Sequence, residues 1–410
     1  MYCVVNLFHI LCRNLNSSRG CTPTMNSPAI MAFLASSLWM VSGSKPWLPL
    51  NPDQALLSDW SFQLMASDLE WPCPATRSVY EQSGRYIPKN IIVSKVQMHR
   101  DWALLLTPRY RAGVPFTIGK VNLRTANKCR PRIAPFPCWE LHEEGSPDAI
   151  QNAVDIFIDS KDVLWVLDSG VVNTLDQPVR RCGPKVWAFD VDTGMLLKTI
   201  DLSQLVCTVS RLQHLVAEYG PDGRAFLYIS DAATRAIIVW NVADKSGYRV
   251  VLPSATTMDC GRRDVLYLAL VKRPLGPSRL YFTYLSAKHL FAIDTDCLRR
   301  KSANGTVIDV GLKPTKFVLL GTDNGLNLFF RYRGQSDIWM WNTDTCFKAS
   351  NFIPVQEGGD CRLATQVLPG FKRLKWVLES NFHDYLAETT GGMGANVRLH
   401  PLVRNGCDCF

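Results

Sequence analysis

Two aspartates, Asp168 and Asp231, end short apolar strands of matching form, Leu164-Trp-Val-Leu-Asp168 and Leu227-Tyr-Ile-Ser-Asp231. Carboxylates so placed could hold an ammonium group by charge-assisted hydrogen bonds, or each could cap its own turn, as aspartate commonly does. The 7 histidines are scattered, and His142 and His214 fall nearest to these turns. His214 sits inside an apolar strand, Leu212-Gln-His-Leu-Val216. An imidazole there could move a proton in a tautomerisation, or be an ordinary hydrogen-bonded structural histidine. No nucleophile elbow, phosphate loop, dinucleotide fingerprint or metalloprotease helix occurs, so no catalytic residue is assigned. Gly391-Gly-Met-Gly394 reads as a flexible turn, because no βαβ unit surrounds it. Cys407-x-Cys409 lacks the second pair that zinc needs, and no metal or cofactor is expected.

The elements that must position these residues repeat. Six short hydrophobic strands recur at Trp102–Leu106, Leu164–Asp168, Leu227–Asp231, Leu280–Tyr284, Leu328–Tyr332 and Leu374–Leu378, with starts 62, 63, 53, 48 and 46 residues apart. Four are followed by a second strand that ends in an acid or amide, namely Val186–Asp190, Ile238–Asn241, Leu290–Asp294 and Ile338–Asn342. Periodicity near two, with β-branched and aromatic residues, argues for strands, and long helical stripes are missing. A four-stranded unit of about 50 residues, used six times, predicts an all-β, six-bladed β-propeller. A latch strand at Asp59–Leu64 is expected to close the ring. Strand directions then bring Asn152, Asp168, Arg211 and Asp231 to one face, around the channel mouth, the expected ligand site. The strand tryptophans Trp165, Trp187, Trp240, Trp339, Trp341 and Trp376 are expected in packing.

Composition sets the remaining bounds. The 410 residues carry 45 Lys+Arg against 36 Asp+Glu, a net +9, with 47% apolar residues, which excludes disorder as the main state. Residues 261–301 alone hold nine basic against three acidic side chains, a local +6. No reading motif for nucleic acid accompanies them, so solvated loops are expected there. No apolar run reaches about 18 residues, so a spanning helix is not expected. Residues 1–44 contain no acid, and Ala32–Val41 followed by Ser42-Gly-Ser44 has the form of a secretion signal without its basic start. The chain is therefore divided into a leader, 1–44, and a propeller, 45–410, with Asn304-Gly-Thr306 as a glycosylation sequon in an exported protein.

The motifs Gly84-Arg-Tyr-Ile-Pro-Lys-Asn90, Arg109-Tyr-Arg-Ala-Gly-Val-Pro115, Pro135-Phe-Pro-Cys-Trp139, Leu164-Trp-Val-Leu-Asp-Ser-Gly170 and Cys182-Gly-Pro-Lys-Val186 resemble, in order and spacing, the yellow / major royal jelly protein family. The resemblance runs from about Trp60 to Asn396. It implies a secreted six-bladed propeller linked to cuticle melanin, dopachrome conversion, amine binding or nutrition. One departure concerns a cysteine. Where the family often has a His-Glu-Asp-Cys-like stretch, this chain has His142-Glu-Glu-Gly145, and Cys138 is the substitute expected to bridge to Cys182. Setting aside Cys3, Cys12 and Cys21 of the leader leaves eleven of the 14 cysteines, an odd number.

Three functions follow as expectations. The first is a secreted propeller whose channel mouth takes a small aromatic amine or catechol. The second is a dopachrome-converting, tautomerase-like enzyme, and the third is a structural or storage protein with no small-molecule activity.

Overall fold

Strands that read as unbroken apolar runs are those covered on both faces, and they mark the second strand of every blade. In Val163–Asp168, Ala225–Asp231 and Arg279–Tyr284 all but the first residue are buried. The computed structural model describes residues 60–126, 129–256, 261, 263–301, 306–359 and 361–402. The leader, Asn304, Cys407 and Cys409 lie outside the described residues.

Six four-stranded antiparallel sheets follow one another along the chain as the blades of a β-propeller. Blade 1 comprises Lys95–His99, Trp102–Leu106, Ile118–Asn122 and Ala134–Pro135. Blade 2 comprises Ala153–Ile158, Val163–Asp168, Lys185–Asp190 and Leu196–Asp201, and blade 3 Leu212–Tyr219, Ala225–Asp231, Ala236–Asn241 and Ser246–Val251. Blade 4 begins with Leu266–Val271, blade 5 with Phe317–Thr322 and blade 6 with Leu363–Pro369. Each of these first strands touches the first strands of its two neighbours, blade 6 meeting blade 1, so the six line a central channel.

The repeated strands of the sequence are the second strands of the blades, displaced by at most two residues. Less visible were the third strands of blades 1 and 6, Ile118–Asn122 and Val397–Pro401, where Gly119 and Pro401 weaken the strand pattern.

Register fixes which ends share a face. Ala153 pairs with Asp168 and Leu212 with Asp231, so the starts of the first strands and the ends of the second lie at the same mouth. Apolar clusters fill the spaces between blades. One joins Leu104 and Ile118 of blade 1 to Ile156, Leu164, Trp187 and Phe189 of blade 2. Another joins Tyr228 and Ile237 of blade 3 to Leu280 and Phe282 of blade 4. Gly321 marks a tight approach between blades 5 and 6. Its φ is +139°, and a Cβ there would lie 2.2 Å from the carbonyl oxygen of Val367.

In blade 6 the outermost strand is Phe62–Leu64, which pairs with Val397–Pro401 in the register Phe62 to Leu399. The Phe62 ring is fully buried, 6.3 Å from that of Trp376. That this pairing holds the ring shut is a proposal. Under it, Phe62→Ala lowers stability by about 3–5 kcal/mol and makes the C-terminal strand an early site of proteolysis. An unchanged melting temperature and digestion pattern contradicts it.

Candidate functional site

The channel has a volume of about 1580 Å³ and is walled by the six first strands. Most of its lining is apolar, including Val154, Ile156, Phe157, Leu268, Leu270 and Val318. Near the mouth shared by Asp168 and Asp231, polar groups interrupt this lining. They are Lys95 of blade 1, His214 of blade 3, Tyr267 of blade 4, Arg331 of blade 5 and Thr365 of blade 6. Behind them, fully buried in blade 2, lies Asp155.

Asp155 organises one side of this throat. Lys95 Nζ donates to both its oxygens at 2.6 and 2.7 Å. The backbone N–H groups of Ile156 and Leu215 donate to Oδ1 and Oδ2 at 2.7 and 2.8 Å. Burial works against the charge, but Lys95 outweighs it and holds the carboxyl below its ordinary range.

The four N–H donors fill the four lone-pair positions of the carboxylate. His214 Nδ1 lies 3.4 Å from Lys95 Nζ and 3.4 Å from Asp155 Oδ2. With the carboxylate filled, the third ammonium proton of Lys95 is left for Nδ1, which places the imidazole proton on Nε2. That atom is buried with no hydrogen-bond partner among the described residues. Burial and then Lys95 push the His214 pKa down, so the ring is neutral near pH 7. Its face stacks on Tyr267 with centroids 5.5 Å apart.

A β-bulge delivers His214 to the wall. The register slips between Leu212 and Leu215, and a bulge of this kind re-aims a side chain without ending the strand. Similar slips occur in the first strands of blades 2, 5 and 6.

Two further elements border the mouth, a hairpin, Val171–Val172 with Val179–Arg180, and a short helix, Phe382–Ala387. Arg111 ties them together, donating to Asp176 at 2.6 Å and to Glu388 at 2.8 Å.

The four residues expected at the mouth have different fates. Asp168 is fully buried, and its oxygens accept from the backbone of Gln151, Asn152 and Gly170 at 2.9 Å and from Trp187 Nε1 at 3.3 Å. Asp231 is fully buried as well, accepting from Ser210 Oγ, Arg211 N and Thr234 Oγ1. Both carboxylates therefore cap their own turns, and neither lines the channel. Asn152 spends its side chain on Arg109 N and the Val171 carbonyl, at 2.7 and 2.6 Å. Arg211 does line the channel. Its guanidinium donates to the Asp264 carbonyl, while its Nε is buried without a partner among the described residues.

His142 is structural. Nε2 lies 2.8 Å from the carbonyl oxygen of Phe136, and Nδ1 accepts from Thr117 N at 3.3 Å. Burial, aided by Arg109, pushes its pKa down to about 3.

The bridge from Cys138 to Cys182 is not formed. Pro137, next to Cys138, packs beside Gly194 at one end of the strand Lys185–Asp190, whereas Cys182 lies beside Gly170 at the other. A six-residue strand spans about 17 Å between its end residues, which exceeds disulfide reach. Instead the Cys182 thiol donates to the Gly183 carbonyl at 3.1 Å, and burial pushes its pKa up to about 11.

Among the throat groups, the sequence pointed to His214. Lys95, Asp155, Tyr267 and Arg331 went unnoticed as a set. Asp155 had one signal, a carboxylate at an inward position of the otherwise apolar Ala153–Ile158.

Comparison with known proteins places this geometry in context. The family model described as "Major royal jelly protein" matches residues 151–402. Major royal jelly protein 1 of Apis mellifera is 25% identical over 335 residues, covering 76% of this chain and 75% of that protein. A Drosophila melanogaster protein named "Dopaminechrome tautomerase" is 27% identical over 173 residues, covering 41% of this chain and 37% of that protein. "Protein yellow" of Drosophila melanogaster is 24% identical over 253 residues, covering 57% and 47% respectively. No helix among the described residues is long and apolar enough to cross a membrane.

Two predictions follow from the throat and from His142. Asp155→Asn leaves the Lys95 ammonium without its counter-charge and lowers stability by about 3–5 kcal/mol in chemical denaturation. A loss under 1 kcal/mol contradicts the central place given to this carboxylate. The second concerns pH. His142 and His214 have folded pKa values below the unfolded value of about 6.5, so the unfolded chain binds more protons as pH falls below that point. Melting temperature accordingly falls as pH drops from 7 toward 4, and Asp155 adds to the loss only below about 4. His142→Gln flattens the slope between pH 6.5 and 4; an unaltered slope contradicts the assignment.

Proposed function

The chain belongs to the major royal jelly protein family, and from that membership we propose that it is a secreted propeller that takes a small catechol-derived aromatic molecule into its channel, in the chemistry of pigment precursors. The observation that carries this reading is the throat. An apolar channel of this size carries in its wall a stacked His214–Tyr267 pair, with Lys95 and Arg331 also in the lining. Apolar walls with a few convergent polar groups are the usual form of a small-molecule site.

The polarity of those groups favours the catechol over the ammonium. Asp168 and Asp231 are committed to their turns, and Asp155 is saturated by four N–H donors. The groups left over are donors: His214 Nε2, the Tyr267 hydroxyl and the Arg331 guanidinium. The first two match the oxygens of a catechol or its quinone.

Binding is ranked ahead of tautomerase chemistry. Moving a proton from carbon needs a base beside the substrate, and His214 carries its proton on the nitrogen that lacks a partner. The relative named as a dopaminechrome tautomerase keeps conversion as the alternative reading. Storage or structure without a ligand is the third.

Calorimetry with catechols, beside a dopachrome absorbance assay, separates the three. Saturable binding that is lost in Val318→Trp, which obstructs the channel, is the expected result. Turnover abolished by His214→Gln would move the reading to an enzyme, and heatless titrations with no turnover would leave only storage or structure.

A further inference from the structure

Arg331 is an arginine whose charge no described carboxylate answers. It is the penultimate residue of the second strand of blade 5, Asn327–Tyr332, lines the channel, and has only 9% of its surface exposed. Nε donates to the Ala364 carbonyl at 2.7 Å and Nη1 to the Tyr332 carbonyl at 3.3 Å. No carboxylate lies within ion-pair distance of it among the described residues.

The fold answers buried arginines elsewhere. Arg109, buried still more deeply, donates to five carbonyl oxygens, those of Val114, Ile150, Gln151, Pro115 and His142. Arg299 meets Glu218 and Asp296, and Arg111 meets Asp176 and Glu388. A guanidinium has five N–H donors, so two carbonyls leave Arg331 short. Burying a cation without a counter-charge is costly, and a planar fork of free donors is the geometry that receives a carboxylate.

We propose that Arg331 receives a carboxylate of the channel ligand, so that the protein prefers a carboxylate-bearing catechol derivative to its decarboxylated amine. The inference rests on the reading that the channel holds a catechol derivative. It places the ring of that ligand against Tyr267, which lies between Arg331 and His214 in the blade order. The charges along the wall agree. Lys95 is neutralised by Asp155, whereas Arg331 and Arg211 have no ion-pair partner among the described residues. Burial lowers the pKa of Arg331, which Tyr267 partly offsets.

The test is calorimetric titration of the protein with dopa and with dopamine under reducing conditions. Dopa is expected to bind at least about tenfold more tightly, as befits a hydrogen bond to a charged group. Arg331→Met is expected to abolish the difference while leaving dopamine affinity within about twofold, and Arg331→Lys to keep part of it. Equal affinities in the unaltered protein overturn this inference and leave the channel reading standing. Absence of binding by either compound overturns the channel reading itself. A preference that survives in Arg331→Met puts the carboxylate elsewhere and also overturns the assignment. Should Arg331→Met not fold, thermal shifts of the unaltered protein and Arg331→Lys with the two compounds give the same comparison, with the excess shift by dopa expected to be smaller in Arg331→Lys; an equal excess in both overturns the assignment.

Discussion

A propeller must satisfy the channel-facing edge of each first strand. Those strands have a hydrogen-bonded neighbour on one side only, and their remaining N–H and C=O groups need partners. Adjacent first strands splay apart, so side chains do the stitching. Gln97 accepts from Ile158 N, Gln213 from Leu266 N, and Gln366 both accepts from Val96 N and donates to Val96 O. Between blades 2 and 3 the stitch is Asp155, which accepts from Leu215 N. A carboxylate in that place has to be neutralised, and Lys95 of blade 1 does so. Much of the throat chemistry follows from this one choice. Lys95 is fixed, its third proton is directed at His214, and three blades meet at one buried charge.

The remainder of the throat is asymmetric because each blade contributes a different residue, Arg331 from a second strand and the others from first strands. Blades 1 to 3 hold a closed network, while blades 4 and 5 contribute Tyr267 and Arg331, whose polar atoms are far less engaged. Burial pushes the Tyr267 pKa up to about 12, so its hydroxyl stays a donor at physiological pH. The hairpin and the short helix fastened by Arg111 border the same mouth.

The ring was legible because second strands, buried on both faces, carry the densest apolar runs, as Leu164–Asp168 and Leu280–Tyr284 illustrate. The outer strands are half exposed and left fainter traces, Ile308–Leu312 being an example. For the site, strand direction correctly brought Asp168 and Asp231 to one mouth, but said nothing about where their oxygens point. A turn whose backbone N–H groups lie within reach captures an aspartate before a ligand can, and this occurred at both positions. The throat residues were hidden for a different reason. Lys95, Asp155, His214, Tyr267 and Arg331 come from five blades, and only the closed ring brings them together. Bulges such as that at His214 also break the period of two on which inward-facing positions are assigned. The Cys138–Cys182 bridge was inferred from likeness of motif, and the length of one strand keeps the two ends apart.

The most direct measurement is an experimental structure of the protein grown or soaked with a carboxylate-bearing catechol at saturating concentration. The account predicts density for an aromatic ring in the channel throat, against Tyr267 and within hydrogen-bonding distance of Arg331 and His214. A well-ordered throat that holds only solvent under those conditions, or a ligand seated on the outer surface of the ring, would contradict it.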